Sequence, residues 1–207
     1  MNPGDTVGGF LEQLAAGTPT PGSGAATALP GAAAAALLAM ACRVTARRAS
    51  SSALTEAAAR ADALRHRLLG LASEDAAAYA AVIAARRVPE GRRAAAVEAA
   101  MRDATRVPLD LARGSGEALA LAAALADEVG DAVLGELAVA LELGRAACAG
   151  AAVTVRLNVR DVGHTAFVAE TRATLDAVEA AARADGERVA TCLAARTGLA
   201  SSGAAAG

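Results

Sequence analysis

The sequence predicts an all-α protein: a multi-helix bundle of long, Ala-rich helices that pairs with a second copy of itself as a homodimer. Three observations lead there. Hydrophobic residues make up 55% of the 207 residues, with two Phe, one Tyr and no Trp; most are alanine, the best helix former. Apolar residues recur at three- and four-residue spacing, and no β-branched alternating run supports a strand. Prolines and glycines sit where they would separate helices. Alanine contributes little buried area per residue, so helices must approach closely. A core this modest favours burying further surface against a copy.

The elements follow in order. A short helix covers Thr6 to Ala15, with Phe10, Leu11 and Leu14 on one face. Gly17 to Gly24 is a turn carrying two prolines and three glycines. A second helix runs from Ala25 to Arg48, irregular near Pro30-Gly31. Ser50-Ser51-Ser52 breaks the chain and offers caps for a third helix, Ala53 to Arg87. Val88-Pro89-Glu90-Gly91 stops it, and a fourth begins near Gly91. At Pro108 the missing N–H predicts a kink or a new start, so a fifth helix reaches Asp127. A sixth spans Ala132 to Val155, Arg156 to Gly163 connects, and a last helix ends at Arg196. Residues 1–197 read as one domain and 198–207 as a flexible tail.

Composition excludes several functions. The formal charge is −2, and all twenty basic residues are Arg. No basic block or aromatic platform is present, which argues against nucleic acid as a partner. Without lysine there is no lysine Schiff-base chemistry. Cys42, Cys148 and Cys192 are isolated in sequence, giving neither a disulfide framework nor a metal site; they read as small core residues. The apolar stretch Ala25 to Cys42 contains Thr27, Pro30 and Gly31 and reads as a buried helix, not a membrane span. With no signal peptide before Met1-Asn2-Pro3, the expectation is a cytoplasmic protein without membrane partners.

A few polar residues could carry chemistry. Thr18-Pro19-Thr20-Pro21-Gly22-Ser23-Gly24 reads either as a helix-opening turn or as an anion site, because it feeds the unpaired N–H groups of a helix N-terminus. Asp75 and Tyr79, at i,i+4, share one face; a site and a solvated face both fit. Glu136 and Thr154 also share a face, yet eighteen residues of helix separate them by about 27 Å. They could flank an elongated ligand, serve two sites, or meet through an antiparallel copy in a dimer. Arg156 could bind a carboxylate bidentately or partner a helix C-terminus, with Asn158 beside it. His66, between two arginines, reads as solvent-exposed, and His164 is conceivable as a proton carrier. No nucleophile–His–Asp spacing, phosphate loop or dinucleotide fingerprint occurs.

At these residues the chain resembles the formiminotetrahydrofolate cyclodeaminase and methenyltetrahydrofolate cyclohydrolase family. The likeness starts at Phe10-Leu11-Glu12-Gln13-Leu14-Ala15 and the proline–glycine turn. It continues through Glu74-Asp75-Ala76-Ala77-Ala78-Tyr79, Val88-Pro89 and Val107-Pro108-Leu109 to Val155-Arg156-Leu157-Asn158-Val159 and Phe167. The resemblance implies an all-helical homodimer that handles a reduced folate at the turn, with no covalently bound cofactor and no metal. It implies Asp75 and Glu136 as catalytic residues. Thr20, Pro21, Gly22, Ser23, Gly24, Tyr79, Thr154, Arg156 and Asn158 would bind the tetrahydrofolate derivative that is the substrate. The chain departs from the family's pattern at polar positions. Ser23 and Ala25 fall where its Pro-Gly-Gly-Gly-Ser has glycine and serine. Gly135-Glu136 replaces Ser-Asp, Thr154 replaces the first Asn of Asn-x-x-x-Asn, and Glu90 replaces a Lys. Those departures leave open a repurposed enzyme acting by cyclisation, elimination or hydrolysis on another small substrate, and a non-catalytic helical dimer.

Overall fold

A computed structural model describes residues 6–48 and 51–198. Among them are six α-helices and no strand: α1 (Val7–Ala15), α2 (Ser23–Ala46), α3 (Ser52–Arg86), α4 (Glu90–Leu125), α5 (Leu134–Asn158) and α6 (Thr165–Thr197). Single 3-10 turns, Asp131–Val133 and Val159–Asp161, bracket α5. Residues 199–207, most of the expected tail, lie outside the described residues. Gly198 ends α6 in the left-handed conformation, with φ +69°, as a C-terminal glycine commonly does.

Local chemistry sets the ends. Thr6 Oγ1 accepts from the Gly9 N–H at 3.0 Å and Ser51 Oγ from the Leu54 N–H at 3.3 Å, so both residues are N-caps. α1 buries Phe10 in the core, whereas Leu11, expected on the same face, is 52% exposed. α2 begins at Ser23, two residues before the predicted start, which turns Ser23 and Gly24 into first-turn helical residues.

The largest departure is at Pro108, where one continuous α4 replaces two predicted helices. Proline removes the N–H that would pair with the carbonyl four residues back. Here the carbonyl of Ala104 takes a replacement donor instead: Asn158 Nδ2, from α5, at 2.8 Å. A tertiary contact thus repairs the ladder, and the helix runs through. α5 itself runs on past Val155 to Asn158, where the sequence suggested a connector.

α2, α3, α4 and α5 form a four-helix core, each antiparallel to the next, and α6 packs along α4 and α5. Close approach depends on small residues. A Cβ on Gly144 would sit 3.0 Å from Leu119 Cδ2, and one on Gly114 only 2.7 Å from Leu68 Cδ2. Buried Thr105 and Ser115 donate to the carbonyls of Met101 and Leu111 in their own helix, so neither hydroxyl is left unpaired. By length and apolarity α2, α3 and the 131–161 stretch each reach what a membrane crossing needs. Their buried faces here are largely alanine and leucine packed on one another.

Because neighbours alternate in direction, the N-termini of α2, α4 and α6 share one end of the bundle with the C-termini of α3 and α5. That end carries the turn, Asp75, Tyr79 and Thr154, whereas Glu136 lies at the other.

Candidate active site

The site is built where α2 starts. Gly17, at φ +72°, lets the chain leave α1, and Thr18 Oγ1 donates to the carbonyl of Thr20 at 2.8 Å. The Thr20-Pro21 peptide is cis. Gly22 is the N-cap but has no side chain with which to cap. The cap comes from another helix: the Ala25 N–H donates to Asp75 Oδ2 at 3.2 Å, from α3. The positive end of α2 and this N–H both favour the ionised carboxylate. Burial opposes them and dominates, pushing the Asp75 carboxyl above the usual carboxylate range, with the Ala25 hydrogen bond pulling it partly back.

Gly24 is the residue that permits this approach. A Cβ there would lie 2.0 Å from Asp75 Oδ1, far inside van der Waals contact. No side chain larger than hydrogen fits unless the carboxylate moves.

On the opposite side of the α2 N-terminus stands α5. Ser23 Oγ and Thr154 Oγ1 are 3.5 Å apart. Thr154 also lies 3.1 Å from the carbonyl of Gly150, to which it donates, and Thr27 Oγ1 donates to the Ser23 carbonyl at 2.7 Å. Thr27 and Gly150 were not singled out in the sequence. A Cβ on Gly150 would come within 3.0 Å of Thr27 Oγ1, so the pair sets how closely α2 and α5 meet beneath the hydroxyls. The i,i+4 spacing of Gly150 and Thr154 was the available signal.

The structure therefore gathers the turn, Asp75 and Thr154 around one helix end. Tyr79, one turn beyond Asp75, is 43% exposed at the same end. The remaining candidates lie elsewhere. Arg156, two residues and about 200° around α5 from Thr154, points to α6 and ion-pairs with Glu179. It lines a groove of about 450 Å³ with Asp176, Arg183 and Glu187, apart from Asp75 and with charges of both signs. The Asn158 amide donates to Ala104, as described. Glu136 lies in the first turn of an uninterrupted α5, at the far end of the same subunit. His164 caps α6, its Nδ1 accepting from the Phe167 N–H at 3.1 Å, and exposed His66 contacts Arg65.

A carboxyl that can hold or release a proton at a positive helix end, with two hydroxyls on the other side of that end, suits acid–base work on a polar substrate. Over 195 residues, 89% of this chain and 94% of the relative, the sequence is 32% identical to the methenyltetrahydrofolate cyclohydrolase of Methylorubrum extorquens. The fold superposes on the crystal structure of formiminotetrahydrofolate cyclodeaminase from Thermotoga maritima with a TM-score of 0.86. That match covers 92% of this chain and 96% of the other at 24% identity, a likeness of fold alone. Residues 6–177 match the formiminotransferase-cyclodeaminase family, and the chain belongs to that family.

Proposed function

We propose that this protein is a folate one-carbon enzyme that hydrolyses the methenyl bridge of a reduced folate. The observation that carries the reading is Asp75, a carboxyl raised by burial and held against the first turn of α2 by the Ala25 N–H. The methenyl carbon lies between two nitrogens that share a positive charge, and a carboxylate beside it offsets that charge. Water adds to this carbon to form a C–O bond, and Asp75 takes the proton the water releases. The resulting tetrahedral carbon then loses one C–N bond. Asp75 returns its proton to the departing nitrogen while the hydroxyl proton passes to solvent, leaving a formyl group on the other. A carboxyl whose pKa burial raises can take up a proton in one step and give it back in the next. The Ser23 and Thr154 hydroxyls, 3.5 Å apart, are placed to orient the water or the tetrahedral hydroxyl.

A second reading rests on the same carboxyl. Attack of one folate nitrogen on a formimino carbon, followed by protonation and loss of ammonia, passes through a similar tetrahedral carbon. The relative named as a cyclohydrolase favours hydrolysis as the first reading. The reading carries a homodimer, supported by a core built largely of alanine, and a cytoplasmic enzyme with no bound metal or covalent cofactor.

The test uses purified protein and methenyltetrahydrofolate, following loss of near-ultraviolet absorbance at a pH where spontaneous opening is slow. Acceleration that Asp75→Asn abolishes supports the proposal. No acceleration, with no ammonia released from the formimino substrate, refutes both readings.

A further inference from the structure

We infer that the site at the α2 N-terminus is completed by a second copy of this chain, whose Glu136 arrives more than a helical turn beyond Thr154, at the open end of the site, through an antiparallel pairing of α5 helices. The inference rests on the proposed acid–base site and adds a residue to it.

The starting point is an unpartnered face. Val139, Val153 and Leu157 are each more than half exposed, at 52%, 55% and 55%. On a helical wheel they form one stripe with half-buried Leu143, exposed Ala146 and half-buried Gly150, spaced at three and four residues. α2 lies beside this stripe and presents half-buried Leu29, Leu37 and Met40 with exposed Ala33. Two adjoining helices thus share a continuous apolar surface on the side away from α6. A surface of this kind marks an interface.

The pattern along α5 identifies the occupant. About the level of position 148, Val139 mirrors Leu157, Leu143 mirrors Val153, and Ala146 mirrors Gly150. Large apolar residues lie at the two ends and small ones in the middle. An antiparallel copy related by a two-fold axis at that level sets each residue against its mirror. Small residues meet at the crossing, where the backbones must approach, and aliphatic residues meet outside it. This is the self-complementarity that an isologous interface requires. The charges agree at the ends: Glu136 mirrors Arg160. Parallel pairing would instead set Glu136 against Glu136 and Arg160 against Arg160. Antiparallel pairing also opposes the two helix dipoles.

The consequence reaches the chemistry. Within one chain Glu136 and Thr154 are about 27 Å apart along α5. Across the two-fold axis, Glu136 of the second copy lies level with position 160, about 9 Å along the axis from Thr154 and one helix spacing of about 8–10 Å to the side, a span that an elongated substrate bridges. Glu136 and Thr154 share one angular position on α5, the side that faces α2. The second copy's carboxylate therefore approaches from the same side as Ser23. Each dimer would hold two sites, each joining Asp75 of one subunit to Glu136 of the other.

Co-expression of two differently tagged chains, Asp75→Asn and Glu136→Gln, tests the inference. Each variant alone should lose at least about tenfold in rate. The isolated heterodimer should recover about half the wild-type rate, since one of its two sites is intact. No recovery in a verified heterodimer, or a fully active E136Q, overturns the shared site. Sedimentation should give a dimer for wild type and a folded, inactive monomer for Ala146→Arg, since Ala146 is exposed; a monomeric wild type overturns the pairing. A short bis-maleimide should join subunits of the V139C/L157C chain, while V139C alone stays at the wild-type background. Cross-linking by V139C alone refutes the antiparallel register. This last measurement needs no activity, so it stands even if the folate reading fails.

Discussion

Replacing Asn158 by Ala separates a structural role from a role in substrate binding. In the structure the Asn158 amide is the donor that Pro108 cannot supply, 2.8 Å from the carbonyl of buried Ala104. Removing it leaves that carbonyl without its partner, at a cost of about 1–3 kcal/mol. For a chain of this size each kcal/mol lowers Tm by about 2–4 °C, so Asn158→Ala should lower it by about 2–12 °C. The discriminating background is Pro108→Ala. Alanine restores an N–H at position 108, which pairs with Ala104 in the helix ladder and makes the Asn158 amide redundant. The loss on Asn158→Ala should then shrink, giving a coupling energy of about 1–2 kcal/mol between the two positions. Urea titrations of the four proteins, followed by far-ultraviolet circular dichroism, provide the cycle. An equal cost in both backgrounds would refute the repair of α4 by Asn158. So would unchanged stability with a raised KM for the folate, which would return the residue to substrate binding.

Further outcomes follow from the site and the core. Asp75→Asn should lower kcat by about 10²–10⁴ with the helical fold intact; a smaller loss removes Asp75 from proton transfer. Burial raises the Asp75 pKa in the folded chain, so the native state holds this proton more tightly than the unfolded one. Ionised Asp75 therefore costs stability above its folded pKa, and the cost disappears as pH falls through that value toward the ordinary carboxylate range. Asp75→Asn should accordingly raise Tm at neutral pH, by a margin that shrinks on acidification; a margin that grows would contradict the burial argument. Gly24→Ala places a Cβ 2.0 Å from Asp75 Oδ1, which should cost about 1–3 kcal/mol and most of the activity. Wild-type Tm and rate in that variant would show that Asp75 does not sit against α2. Burial and Glu179 push the Cys148 thiol up to about 11, and burial also raises Cys42. Only half-exposed Cys192 should react with a thiol reagent before denaturation, and rapid modification of two thiols would contradict the packing.

The resemblance in the sequence gathered the candidate residues, but it could not sort them by place. Thr20 to Gly24, Asp75, Tyr79 and Thr154 converge in space because α2 and α3, and α2 and α5, run antiparallel. The i,i+4 spacing had already put Asp75 and Tyr79 on one face. Nothing in that spacing indicated that Asp75 would cap α2, since the contact spans fifty residues of chain. Arg156 and Asn158 sit close to Thr154 in sequence, yet the helical rotation sends Arg156 toward Glu179 and Asn158 to a carbonyl of α4.

By itself the sequence determined the helical character, the family likeness and the separation of Glu136 from Thr154. Alanine propensity, three- and four-residue periodicity and the fixed rise of an α-helix are local properties of the chain. Tertiary structure alone decided two further matters. It joined the two helices predicted around Pro108, because the missing donor came from a residue distant in sequence. It also showed which carboxyl meets the helix end at the turn, because that depends on two helices approaching closely enough that only glycine fits between them.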